Sequence, residues 1–318
     1  MQKSFIFAEI KILYNHKPNS SMNKKLLYGL VAAFVSVAGL KAQRHEIGLR
    51  AGMSNLVGDI GQTSYLLQKP MSFSNISDNG VPGYIGALYR MNFNPHQTLR
   101  FDVGYAHVQF DDKLAKEEYR KNRKMWGTNN ILTASAMFEY NFLPINNEQK
   151  SMLSPYIFAG IGGMVFDVTQ AELNHDFKRD DSGVALAPQN EIDYVTTAEY
   201  STGKRVTMYV PFGVGLKYKF NNNWTLFGEV MFGPTITDQL DYSKLISKDI
   251  KSSYNADIID PSTGKSLLLS SPYFNVSKER EEYFLNERTV GDTKSKDWVN
   301  SITIGLSYSF GRPPCYCD

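Results

Sequence analysis

Cys315 and Cys317 are the only thiols in 318 residues, and both stand in the closing stretch GRPPCYCD. Bridging them to each other closes a very small, strained ring, and their Cβ atoms align poorly on one extended segment. Pro313 and Pro314 favour a stiff, extended spacer ahead of them. The pair is therefore placed to reach another group, and an intermolecular disulfide in an oxidising compartment is the reading this favours. Free thiols, a mutual bridge and shared zinc are the alternatives. The histidines (His16, His45, His96, His107 and His175) are scattered. His107 is expected near the outer rim of a strand, where a lipid hydrolase would place a base, but no serine motif marks a nucleophile. His175, Asp176, Asp180 and Asp181 match no calcium-loop spacing and read as a solvated polar loop. Ala159-Gly160-Ile161-Gly162-Gly163 lacks the GxGxxG spacing, and no helix pattern follows it to present amides to phosphate. HExxH, GxSxG and the P-loop pattern do not occur. No catalytic, cofactor-binding or metal-binding residue is expected, and the chain reads as a non-enzyme.

A second set of charges is embedded in alternating runs. In RVTMYVPFGVGLKYKF the even positions from Val206 to Phe220 are all apolar or aromatic, while Lys217 and Lys219 are odd. Strict alternation marks a strand, because successive side chains point to opposite faces. The same period runs from Leu132 to Phe142 with Glu139 out of phase, from Leu99 to Tyr105 with Arg100 and Asp102 out of phase, and from Ile302 to Phe310. Less regular strands are expected near 44–53, 82–91, 154–167 and 224–236, for a total of eight.

The links between these strands alternate in length. Long ones are expected at 54–81, 111–127, 168–204 and 239–297; short ones at 92–97, 143–153 and 221–223. Even strand number and loop lengths sorted by end are features of bacterial outer-membrane barrels. The expected fold is all-β: an eight-stranded antiparallel transmembrane β-barrel with short periplasmic turns, long extracellular loops and both termini periplasmic. An eight-stranded barrel is just wide enough to be filled by side chains. A Lys or Arg on the lipid face near midplane costs about 2–4 kcal/mol, which turns the embedded charges inward. Glu46, Arg50, Arg100, Asp102, Glu139, Lys217 and Glu229 are thus expected to form a packed interior network, with Arg90 pointing the same way. The reading favours a structural lattice over an ion path.

Composition agrees with export. Aromatics make up 13% of the chain, with 19 Tyr and 19 Phe. Residues 22–42, beginning MNKKLLYGLVAAFVSVAGL, have the basic start, short apolar core and small-residue end of a secretory signal peptide. Residues 1–21 show no such organisation and read as a non-native upstream extension, with translation expected from Met22. The barrel is expected over 43–310 and a periplasmic tail over 311–318. A net charge of +2 with no basic run argues against a nucleic-acid partner.

HEIGLRAGMSNLVGDIG, YRMNFNPHQTLRFDVGY, SPYIFAGIGG, VPFGVGLKYKFNNNWTLFGEVMFGPTITDQLDY and DWVNSITIGLSYSF follow one another in the mature region. Their order, with the Gly58-Asp59 and Thr237-Asp238 turns, resembles the PorG-like outer-membrane proteins of the Bacteroidetes type IX secretion system. Gln239 and Tyr242 depart from a more acidic stretch usual in that family. The resemblance implies a non-enzymatic anchor or scaffold in the outer membrane, surrounded by its lipids. It implies contact with a periplasmic ring lipoprotein and other secretion components, with no small-molecule substrate. It also implies that lipoprotein as the group Cys315 or Cys317 reaches. A stand-alone adhesin or receptor barrel and a lipid-modifying enzyme using His107 are the rival readings.

Overall fold

The computed structural model describes residues 44–66, 80–146, 152–179, 181, 194–221, 223–254, 271–292 and 294–311. The expected upstream extension and signal peptide, Asp180, Cys315 and Cys317 lie outside the described residues. The elements are β1 (Arg44–Val57), β2 (Gly83–Asn92), β3 (Gln97–Asp111), α1 (Glu118–Arg123), β4 (Trp126–Asn141) and β5 (Met152–Phe177). They continue with β6 (Tyr194–Tyr209), β7 (Phe212–Lys219), β8 (Trp224–Phe232), β9 (Ile250–Tyr254), α2 (Ser271–Arg288) and β10 (Trp298–Phe310).

The chain is all-β in its core, with ten strands in one sheet among the described residues. Every pairing is antiparallel except β5 with β9. Strand β1 pairs with β2 and β10, β3 with β2 and β4, and β8 with β7 and β10. Strand β5 takes both β4 and β7 along its lower half. The path from β1 through β2, β3, β4, β5, β7, β8 and β10 therefore returns to β1.

The expected count of eight is corrected to ten, for two physical reasons. The long alternating run is two strands, because Pro211 has no N–H for the ladder and divides β6 from β7. Strand β9 is an added short strand inside the link expected as loop from 239 to 297, which also contains α2. The link expected over 168–204 is largely strand as well: β5 and β6 continue as a paired arm from Gly162↔Tyr209 out to Phe177↔Tyr194. The link after β3 contains a 3₁₀ turn at Asp112–Leu114 and then α1, whose Arg120 is buried rather than solvated.

Alternation sorts the sheet faces. On β1, Ile47 and Leu49 are 50% and 69% exposed, while Glu46 and Arg50 on either side of them are buried. The even positions from Val206 at the end of β6 through β7 face out in the same way, with Val206 at 72% and Val214 at 55%. The opposite faces meet as the core. The tight β2–β3 connection is held by Asn94, whose Oδ1 accepts the N–H groups of His96 (2.9 Å) and Gln97 (2.8 Å), as short turns favour.

Candidate functional site: a buried charge network and an aspartate cluster

Six strands bring the expected interior residues together: Glu46 and Arg50 from β1, Arg90 from β2, Arg100 and Asp102 from β3, Glu139 from β4, Lys217 from β7 and Glu229 from β8. All are buried. Arg100 is the hub, at 2.6 Å from Asp102 Oδ2, 3.1 Å from Glu139 Oε1 and 2.6 Å from Glu229 Oε1. Arg50 donates to Asp102 Oδ1 at 2.7 Å and to Glu229 Oε2 at 3.1 Å. Arg90 reaches Glu139 at 3.0 Å, Glu229 at 3.4 Å and Glu46 at 3.5 Å. Lys217 Nζ lies 2.6 Å from Glu139 Oε2 and 3.0 Å from Asn141 Oδ1. Four cations face four carboxylates, so the network is formally neutral.

Taking a charge out of water costs several kcal/mol per ion, so such groups persist inside only when paired and hydrogen-bonded. Here aromatic residues complete the shell. The Tyr156 hydroxyl donates to Glu229 Oε1 at 2.5 Å, and Tyr84 donates to Asp102 Oδ1 at 3.2 Å. The Arg50 guanidinium lies 4.4 Å from the Tyr84 ring centroid and Lys217 Nζ 4.4 Å from that of Tyr156, both within cation–π range. Sequence reasoning omitted Tyr84 and Tyr156, although each has the same parity as an inward residue on its own strand. Glycine makes room for them: a Cβ on Gly215 would stand 2.5 Å from Tyr156 Cζ. Gly215→Ala should push that ring off Glu229 and cost about 1–3 kcal/mol, as overpacking does. A lowered urea midpoint with unchanged slope would register it, and an unchanged midpoint would show that the ring yields freely.

The other described candidate residues lie on separate strands. His107 Nδ1 and the Tyr105 hydroxyl on β3 both meet Asn130 Oδ1, at 2.8 and 2.7 Å. His175 is buried against Thr196 Oγ1 at 3.0 Å, whereas Asp176, next along β5, is exposed on the other face. The strand separates them, and among the described residues no group of three His, Cys, Asp or Glu has metal-binding geometry. Residues 159–163 pair with β4, and Ala159 also with β7, as the interior of β5 rather than as a phosphate loop.

A second cluster lies where the chain leaves the sheet at the end bearing the long links. Asp59 follows β1, Asp238 and Asp241 follow β8, and Asp297 precedes β10. All four are buried. Asp297 Oδ2 accepts the Leu240 N–H at 2.8 Å; Asp241 Oδ2 accepts that of Ile60 at 2.8 Å and its Oδ1 that of Ser243 at 2.9 Å. Burial, then Asp241, pushes the Asp297 carboxyl up to about 9. Burial, then Asp59 and Asp241, pushes Asp238 up to about 6, and burial raises Asp59. Gly58-Asp59 and Thr237-Asp238 are visible in the sequence as turns, but nothing local says that they meet.

Among solved structures, the chain is similar to the N-terminal β-barrel domain of Pseudomonas aeruginosa OprF, with 12% identity over 85% of this chain and 98% of that one and a TM-score of 0.33. It is similar to the attachment invasion locus protein Ail of Yersinia pestis, at 12% identity over 85% and 99% with a TM-score of 0.34. A major outer membrane protein of Thermus thermophilus gives 15% identity over 85% and 100%, with a TM-score of 0.35. No curated protein matches the chain. The family model described as "Domain of unknown function (DUF6089)" matches residues 24–192, more than half of the chain, and the chain belongs to that family.

Proposed function

We propose that the chain is an outer-membrane barrel, closed by the eight strands that pair in a ring. It acts as a non-enzymatic anchor for a protein secretion machine of the type IX class. The observation that carries the membrane reading is the sorting of faces: exposed apolar side chains outside and a neutral, hydrogen-bonded charge network inside. In water that exterior would be an aggregation surface; in lipid it is the required one. Aromatic clusters near both ends support it, with Trp224 against Tyr308 (5.1 Å) at the short-turn end and Phe212 against Phe232 (5.6 Å) at the other. A filled lumen supports an anchor over a pore.

The secretion role rests on the resemblance of the ordered sequence blocks to PorG-like proteins, and with it the partners: a periplasmic ring lipoprotein and its associated components. In this reading both termini are periplasmic, and Cys315 or Cys317 forms a disulfide with the lipoprotein. Non-reducing gels of outer membranes test it. A band of higher mass containing both proteins should appear, and should vanish with reductant and in the Cys315→Ser, Cys317→Ser double variant. A wild-type chain that runs as a monomer without reductant and purifies without the lipoprotein would sink the anchor reading. Lost adhesion with intact secretion in a deletion strain would favour the surface-receptor reading instead.

A further inference from the structure

Asp297 is fully buried, and its Oδ1 has no hydrogen-bond partner among the described residues. Beside it, Gly58 has no side chain, and a Cβ there would lie 2.7 Å from Asp297 Oδ1 and 2.5 Å from Asp241 Oδ2. Both oxygens thus border the space that a side chain at residue 58 would take, with Leu240 N–H holding the other oxygen of Asp297 and Ile60 N–H holding Asp241 Oδ2. Two carboxylates at such close quarters away from water do not both ionise; the stable arrangement holds one proton for the pair. We propose that Asp241 and Asp297 share a proton, and that this proton latches together the β1–β2 link, the segment after β8 and the entry to β10.

The surrounding charges do not replace it. Asp59 and Asp238 add negative potential from both neighbouring segments. Arg120 donates to the carbonyls of Gly58 and Gly61, and Arg123 to that of Asp59 and to the Asp112 carboxylate. Lys244 and Lys296 act on Asp238, and Asp292 opposes Asp59. The backbone then ties the pair to structure: Thr235 donates its N–H to the Asp297 carbonyl at 3.0 Å, and Asp297 donates to that of Thr237 at 3.0 Å.

The direction with pH follows from linkage. In the latched state the Asp297 carboxyl keeps its proton up to about 9, whereas in an opened, hydrated loop it ionises near the ordinary value of about 4. The latch is therefore complete below the lower value. Its closing equilibrium falls by about tenfold per pH unit between the two, then levels once the latched carboxyl also loses its proton to solvent.

Hydrogen exchange of the full chain in micelles tests this, followed at the Ile60 and Leu240 amides from about pH 6 to 10 and corrected for intrinsic rates. The opening constant should rise close to tenfold per unit through about pH 8.5 and flatten by about pH 10. Asp297→Asn supplies a permanent N–H donor toward Asp241 and should flatten the profile; Asp241→Asn serves if that variant does not fold. A wild-type opening constant independent of pH overturns the proposal. So does protection that collapses on adding EDTA at constant pH, which would assign the cluster to a divalent cation instead.

Discussion

Glu229→Ala is expected to lower the stability of the folded chain by about 3–5 kcal/mol, the usual consequence of removing one partner from a buried ion network. Glu229 receives Arg50, Arg90, Arg100 and the Tyr156 hydroxyl. Its loss takes one buried carboxylate from each of three guanidinium groups and leaves the network with one excess positive charge. Urea titration of the chain refolded into vesicles should show a much lower midpoint with an unchanged slope. Glu229→Gln keeps the shape and isolates the charge, and should recover only part of the loss. The contrast is Lys204→Ala. Lys204 Nζ lies 2.7 Å from Asp167 but its side chain is 70% exposed, and such pairs contribute about 0–1 kcal/mol. Equal effects at the two sites would refute a low-dielectric interior.

The second large effect is on the outer face. Ile304 on β10 and Val195 on β6 are 66% and 62% exposed, equal by geometry alone. Ile304 lies in the closed part of the sheet, opposite Ala51 and Gly228, while Val195 lies on the arm beyond it, opposite Asp176. If the first faces lipid and the second water, Ile304→Arg should cost about 2–4 kcal/mol and Val195→Arg close to nothing. Folding yield into vesicles and the urea midpoint measure both. Two neutral substitutions would mean that the exposed belt is solvated and would end the membrane assignment.

Much of this was legible because an alternating strand is nearly one-dimensional information. The even positions from Val206 to Phe220 declare an outer face, and the cost of charge in lipid then assigns Arg100, Asp102, Glu139 and Lys217 to the interior without any knowledge of their partners. What parity does not carry is a change of environment along one strand. On β5 the buried positions are even from Ser154 to Phe166 and odd from Ala171 to Phe177. The side chains do not change face; the covering does, because on the arm α2 lies against the face of Ala171 and its partner Tyr200, with Phe284 stacked on the Tyr200 ring. A search for one continuous phase therefore ends near residue 167 and reads the rest as loop. The aspartate cluster escapes for another reason. Asp59 and Asp241 are brought together by two separate strand ladders, and neither local sequence mentions the other.

The register of β10 has a mechanical consequence. It is stitched to β1 over thirteen consecutive residue pairs, from Trp298 to Phe310, and to β8 from Ser301 to Tyr308. Ladder bonds lie across the strand axis, so a pull delivered at Gly311 along β10 loads both seams in shear, with every bond sharing the tension at once. Peeling, in which bonds fail one after another, requires a sideways force at that end. A tether attached at this end would meet a riveted post, stiff along the strand axis and yielding only to leverage across it.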